Sequence, residues 1–131
     1  MKVFYGIVHK DNDSAFGVTF PDLPGCFSAA DRDEDIIANA AQALDLWFED
    51  QKDVEPSDVN EIVSSCASDL ATMKAFVVAV PYIKSTRKSV RANISLDSGV
   101  LDALDIAAKQ RNLTRSAFIA EAVQKEIVGA H

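Results

Sequence analysis

Disulfide, metal-site and membrane chemistry are largely closed to this chain of 131 residues, which has two cysteines, two histidines and no long apolar run. Cys26 and Cys66 lie far apart, without CxxC spacing, in a chain large enough to bury its own core, so no disulfide framework is expected. His9 and His131 stand at opposite ends with no second His or Cys at ligand spacing near either. A dedicated zinc or iron site is therefore not expected, and no cofactor is implied. No stretch approaches the ~20 apolar residues that a bilayer span requires. The N-terminus turns polar by His9-Lys10-Asp11, too soon for the apolar core of a signal peptide. A soluble, cytoplasmic protein is the expectation. With 48% hydrophobic and 25% charged residues the balance is globular, and the length suits one ordinary domain or two small ones.

Two further scarcities are local. Residues 1–83 hold only 5 Lys/Arg against 15 Asp/Glu, a charge of −10. Residues 84–131 hold 8 against 5, a charge of +3, and no acid occurs from Lys84 through Leu96. A sign that flips along the chain points to two modules with different partners, one basic and one polyanionic. The expected division is 1–83, a polar basic linker at 84–88, and 89–131.

The first module reads as a small α+β domain of order β-β-β-α-(α)-β. Val3–His9 is rich in β-branched and aromatic residues, 10–14 supplies turn chemistry, and Ala15–Phe20 returns as a second strand. Pro21-Asp22-Leu23-Pro24-Gly25 must break that strand, with Gly25 free to take a positive φ. Cys26–Ala30 fits a third strand. From Asp31 to Gln51 neither Gly nor Pro occurs, and Ile37, Ala40, Ala41, Leu44, Trp47 and Phe48 follow the spacing of an amphipathic helix. Asp33, Glu34 and Asp35 crowd its first turn, where the dipole favours carboxylates. A short helix is expected over Asp58–Cys66. Ala75–Val80 reads as a strand pairing centrally in the sheet and ended by Pro81.

In the second module Val90, Ala92, Ile94 and Leu96 alternate with Arg91, Asn93 and Ser95, the period of a strand. Asp97-Ser98 offers capping oxygens to a helix carrying Val100, Leu101, Leu104, Ala107 and Ala108. Asn112-Leu113 turns, and Thr114 caps a second helix bearing Phe118, Ile119, Ala122, Val123 and Ile127. One strand and two helices leave a bare edge and too little core, and both defects vanish if two chains pair strand to strand. Dimer-core positions are then Ala92, Ile94, Leu96, Leu104, Phe118 and Ile119. The resulting ribbon exposes Arg91, Asn93 and Ser95, side-chain types that read base edges in a major groove. Thr114, Arg115 and Ser116 open a helix whose N–H groups suit a phosphate, with Arg87 and Lys88 as further phosphate contacts.

Residues 89–128 resemble the ribbon-helix-helix repressors through the alternating strand, Asp97-Ser98-Gly99-Val100-Leu101 and Leu113-Thr114-Arg115-Ser116-Ala117-Phe118. Asp97 stands where many members carry proline. The resemblance implies base reading by Arg91, Asn93 and Ser95 and phosphate grip by Thr114 to Ser116. The first module resembles the HicB antitoxin domain, a trimmed relative of the RNase H fold, through its hairpin, Phe20-Pro21-Asp22-Leu23-Pro24-Gly25-Cys26 and the Ala/Leu-rich acidic helix. HicB proteins neutralise HicA, a small basic RNA-cleaving toxin, and repress their shared operon. The resemblance thus implies a HicA-like toxin and operator DNA as partners, a homodimer or tetramer, and no enzyme activity. Toxin contacts are assigned to Asp22, Leu23, Asp33 and Glu34.

Other readings stand beside these. Asp11, Asp13 and Asp22 are the carboxylates of a conceivable nuclease remnant, although turn and capping roles account for all three. Cys26 reads as a small buried residue, since no His partner is identifiable. Trp47 and Phe48 read as core. Excess acid serves solubility as well as recognition, but its confinement to one module favours a basic partner. The rival functions are a ligand-responsive ribbon-helix-helix repressor without a toxin partner, and a nuclease.

Overall fold

Alternation along β1 (Lys2–His9) sends Phe4 and Val8 to one face of a sheet and Tyr5 and Ile7 to the other. The computed structural model describes residues 1–10, 14–72, 74–86 and 88–129. The chain divides into two units, one built on Met1–Lys84 and the other on Ser85–Ile127.

In the first unit β1, β2 (Phe16–Thr19), β3 (Phe27–Ala30) and β4 (Ala75–Tyr82) form an antiparallel sheet of order β3-β2-β1-β4. β1 pairs with β4 along its whole length, from Lys2 opposite Tyr82 to His9 opposite Ala75. This corrects two expectations. β4 is an edge strand, with β1 and β2 inside, and it continues through Pro81, which sits opposite Val3. An edge strand has a side without a neighbour, and a missing N–H there removes no ladder bond.

The expected long helix divides at its start. Asp33–Asp35 form a 3-10 turn, closed by Asp35 N–H donating to the Arg32 carbonyl at 3.1 Å, and α1 (Ile36–Phe48) follows. The acidic residues thus precede α1 rather than forming its first turn. Arg32 pairs with two of them, at 2.7 Å from Glu34 and 3.2 Å from Asp35. α1 packs Ile36, Ala40 and Leu44 onto Phe4, Val8, Val18 and Val80, one hydrophobic core. Fully burying Phe4, Leu44 or Val80 is worth roughly 1.5–3 kcal/mol each. Gly6 lies in this contact, because a Cβ there would stand 2.7 Å from Val18 Cγ1.

α2 (Val59–Ser65) is capped by Asp58, whose Oδ1 accepts from Glu61 N–H at 2.9 Å. α3 (Ala67–Ala71) follows, an element the sequence reading did not separate. Ile62, Cys66 and Leu70 pack with Ile7, Ala75 and Val77 as a second, smaller cluster. By the alternation of β1, this cluster lies on the opposite face of the sheet from α1.

In the second unit, α4 (Ser98–Gln110) and α5 (Arg115–Val128) form where expected. Asp97 Oδ2 accepts from Gly99 N–H at 2.9 Å, and Thr114 Oγ1 from Ala117 N–H at 3.1 Å, so both expected caps operate. α4 ends in a Schellman motif: Leu113 N–H donates to Ala108 O, Asn112 N–H to Lys109 O, and Asn112 takes φ 57°. Val90–Leu96 joins neither a helix nor the sheet of its own chain.

Candidate functional site

The Ser85–Ile127 unit has one buried hydrophobic residue among those described, Ala108. Val90 is 89% exposed, Ile94 60%, Leu96 42% and Val100 55%. Ala92 is exposed, while Leu104, Phe118 and Ile119 are half-buried. Of the six positions assigned to a dimer core, none is buried within the single chain. Arg91, Asn93 and Ser95 are exposed as well, so both faces of 90–96 are open.

At the helix start assigned to phosphate, two of the three assigned side chains are engaged within the chain. Thr114 is occupied as the cap, and Ser116 is exposed. Helix geometry leaves the first N–H groups of α5 without intrahelical acceptors. Arg115 forks onto Asp105 of α4, Nε to Oδ1 and Nη2 to Oδ2, both at 2.9 Å. That hydrogen bonding holds the Asp105 carboxyl below its ordinary range. A second tie joins the same helices, Arg111 to Glu121, and lowers Glu121 likewise. Sequence reasoning did not single out Asp105, which lies ten residues before Arg115 and meets it only because the chain turns between α4 and α5. Lys88 is exposed, and Arg87 lies outside the described residues.

In the first unit the bend is two consecutive turns with proline at the second position of each. Leu23 N–H donates to Phe20 O, and Cys26 N–H to Leu23 O, both at 3.0 Å. Gly25, third in the second turn, has φ +84°, as a type II turn requires. Asp22 Oδ2 accepts from Ser57 N–H and Oδ1 from Ser57 Oγ, each at 2.7 Å. Leu23 is completely buried. Two of the four assigned toxin contacts are therefore spent inside the domain: Leu23 fills core, and Asp22 ties the bend to the segment before α2. Asp33 and Glu34 are exposed, Glu34 paired with Arg32.

Cys26 is 3% exposed, its thiol is pushed up by burial, and it is not disulfide-bonded. Trp47 and Phe48 are half-buried against the core, with Trp47 Nε1 donating to Pro24 O at 3.0 Å. Phe27 and Leu46, by contrast, are large apolar side chains left open, at 68% and 66%. Both positions follow from periodicity: Phe27 succeeds inward Cys26 on a strand, and Leu46 lies roughly opposite buried Leu44 on a helix. Among the described residues no group of His, Cys, Asp and Glu is placed to hold a metal ion, and no helix is long and apolar enough to cross a membrane. Asp11 and Asp13 lie outside the described residues.

A model of the HicB-like antitoxin of bacterial toxin–antitoxin systems matches residues 4–123. The crystal structure of the Burkholderia pseudomallei antitoxin HicB is 29% identical, covers 100% of both chains and superposes with a TM-score of 0.52. A HicA3–HicB3 toxin–antitoxin complex shares the fold at 22% identity and TM-score 0.52, over 63% of this chain and 99% of the other. A 14.9 kDa protein of Haemophilus phage HP1 is 26% identical across 94% of this chain and 96% of its own. With the sheet, the bend and the helical C-terminal unit in place, the chain belongs to the HicB-like antitoxin family.

Proposed function

We propose that this protein neutralises a basic, HicA-like mRNA-cleaving toxin through its acidic module, residues 1–83. We further propose that residues 89–131, after a linker at 84–88, pair with a second copy to bind operator DNA and repress the operon. No catalysis by this chain is invoked, and its place of action is the cytoplasm. The observation that carries the DNA-binding half is the missing core. One buried alanine cannot hold two helices together, whereas pairing two copies of 90–96 would cover Ala92, Ile94 and Leu96 and complete their ladder. Arg91, Asn93 and Ser95 would then line the other face of a two-stranded ribbon, where guanine, adenine and either base can be bonded. The first N–H groups of α5 would meet the flanking phosphates.

Support for the toxin-binding half is the charge of −10 on residues 1–83 against +3 on the remainder, which suits a basic protein on one module and a polyanion on the other. One experiment tests both halves. The chain is co-expressed with the small basic protein of the neighbouring reading frame, co-purified, and titrated against DNA from upstream of the pair. A stable complex that relieves growth arrest and retards that DNA is expected. Failure to co-purify removes the antitoxin role, and failure to retard the DNA removes the repressor role.

A further inference from the structure

Phe27, at the start of β3, and Leu46, on the outer side of α1, are exposed at 68% and 66%. They share a shallow groove with Gly25, Cys26, Ala43 and Trp47. Trp47 is fixed there by its bond to Pro24 O, and Asn39 Nδ2 donates to Ala29 O at 2.9 Å, so the strand and the helix beside the groove are tied together. The floor is rigid and its rim is apolar.

The charge beside it is arranged against the free protein. Glu49 is the C-cap of α1 and Asp50 follows, with no base in the last turn, so two carboxylates stand at the negative end of the helix dipole. Asp45 and Glu49 are like charges one helical turn apart, a destabilising pair. Among the described residues no cation forms an ion pair with Asp45, Glu49 or Asp50. Glu49, still helical in its backbone, lies three residues from Leu46 and so follows it on the same side, and Asp50 comes next in the chain. A cationic partner would relieve each of these costs. A second copy of this face would add to them, because it brings the same carboxylates and a module of charge −10 (residues 1–83).

We propose that the groove edged by Phe27, Leu46 and Trp47, with the carboxylates of Glu49 and Asp50 following at the C-terminal end of α1, is where the basic toxin docks, presenting an apolar side chain with Lys or Arg near it. This rests on the antitoxin reading above and moves the contact from Asp22 and Leu23, whose side chains serve the fold, to the exposed side chains of Phe27, Leu46, Glu49 and Asp50. The test is isothermal titration of the full-length chain with the basic protein of the neighbouring reading frame, at low and physiological salt. Leu46→Asp and Phe27→Ser are each expected to weaken binding by about tenfold or more. The double change Glu49→Gln, Asp50→Asn is expected to weaken binding and flatten its salt dependence, yet raise Tm by about 2–5 °C. Rising stability with falling affinity is what a purely structural role would not produce. If the wild type binds and all three variants bind equally well, the docking surface is wrong while the antitoxin reading stands. If the wild type does not bind, that reading fails and the surface with it. A fall in the chain's own oligomeric mass on Leu46→Asp, without toxin present, would assign the groove to a contact between copies and overturn the proposal.

Discussion

Arg91 stands on exposed backbone with no acid between Lys84 and Leu96 to compete for its guanidinium. If it bonds a guanine edge, Arg91→Ala costs ~1–3 kcal/mol of sequence-specific binding and relaxes preference at one position; unchanged operator affinity in a gel shift refutes that role. Arg115 is a different case, because Asp105 already holds both arms of its fork. A phosphate must share or displace that carboxylate. Arg115→Ala is expected to weaken binding to all sequences and flatten the salt slope by about one unit, while Asp105→Asn tightens binding to all of them. Retardation assays across a salt series separate the two signs. The alternation of 90–96 makes Arg91 visible in sequence, whereas Asp105 looks like any exposed helical acid until the hairpin turn brings it to Arg115. Leu23 shows the opposite failure: a loop residue between two prolines reads as surface, and only the two consecutive turns carry it into the core.

Element by element, periodicity and capping chemistry located most of the fold. Asp58, Asp97 and Thr114 cap the helices they precede, and Asn112 and Gly25 take the positive φ their turns require. The place of β4 was not legible, because a continuous apolar run looks the same at a sheet's edge as in its middle. Pro81, read as a terminator, marked the edge instead. Ion pairs between α4 and α5 give that hairpin a definite acid response. Asp105 and Glu121 are held below their ordinary values of 3.8 and 4.5 by Arg115 and Arg111. The unfolded chain therefore takes up their protons first as pH falls, so the stability they contribute is present above about pH 4.5 and declines below it. Asp45 has the reverse sign: partial burial, then Glu49, raises its carboxyl, and protonation relieves a cost. Asp45→Asn is expected to raise Tm at neutral pH, and Glu121→Gln to lower it and to shrink the acid-dependent loss; thermal melts from pH 7 to 3 check both.

For the whole molecule, the division of charge was legible from composition, and the apolar groove was not, since exposure depends on how α1 lies on β3. Ile94→Asp is expected to abolish pairing through the C-terminal unit and to melt α4 and α5, with little effect on the sheet unit's own transition. Light scattering together with far-UV circular dichroism measures this, and a variant of unchanged mass and helicity would refute the ribbon. The Asp22–Ser57 tie operates at the same scale. It spans 35 positions in sequence and closes the stretch after α1 back onto the bend, so removing its carboxylate would loosen both ends of that stretch at once.

That Ala108 is the lone buried residue of the C-terminal unit among those described has a quantitative corollary. If folding and association are one event there, its melting midpoint shifts with protomer concentration by mass action, while the sheet unit's midpoint stays put. Dilution alone would then unravel the C-terminal unit first, so that the amount of protein present is written into the order in which its two ends come apart.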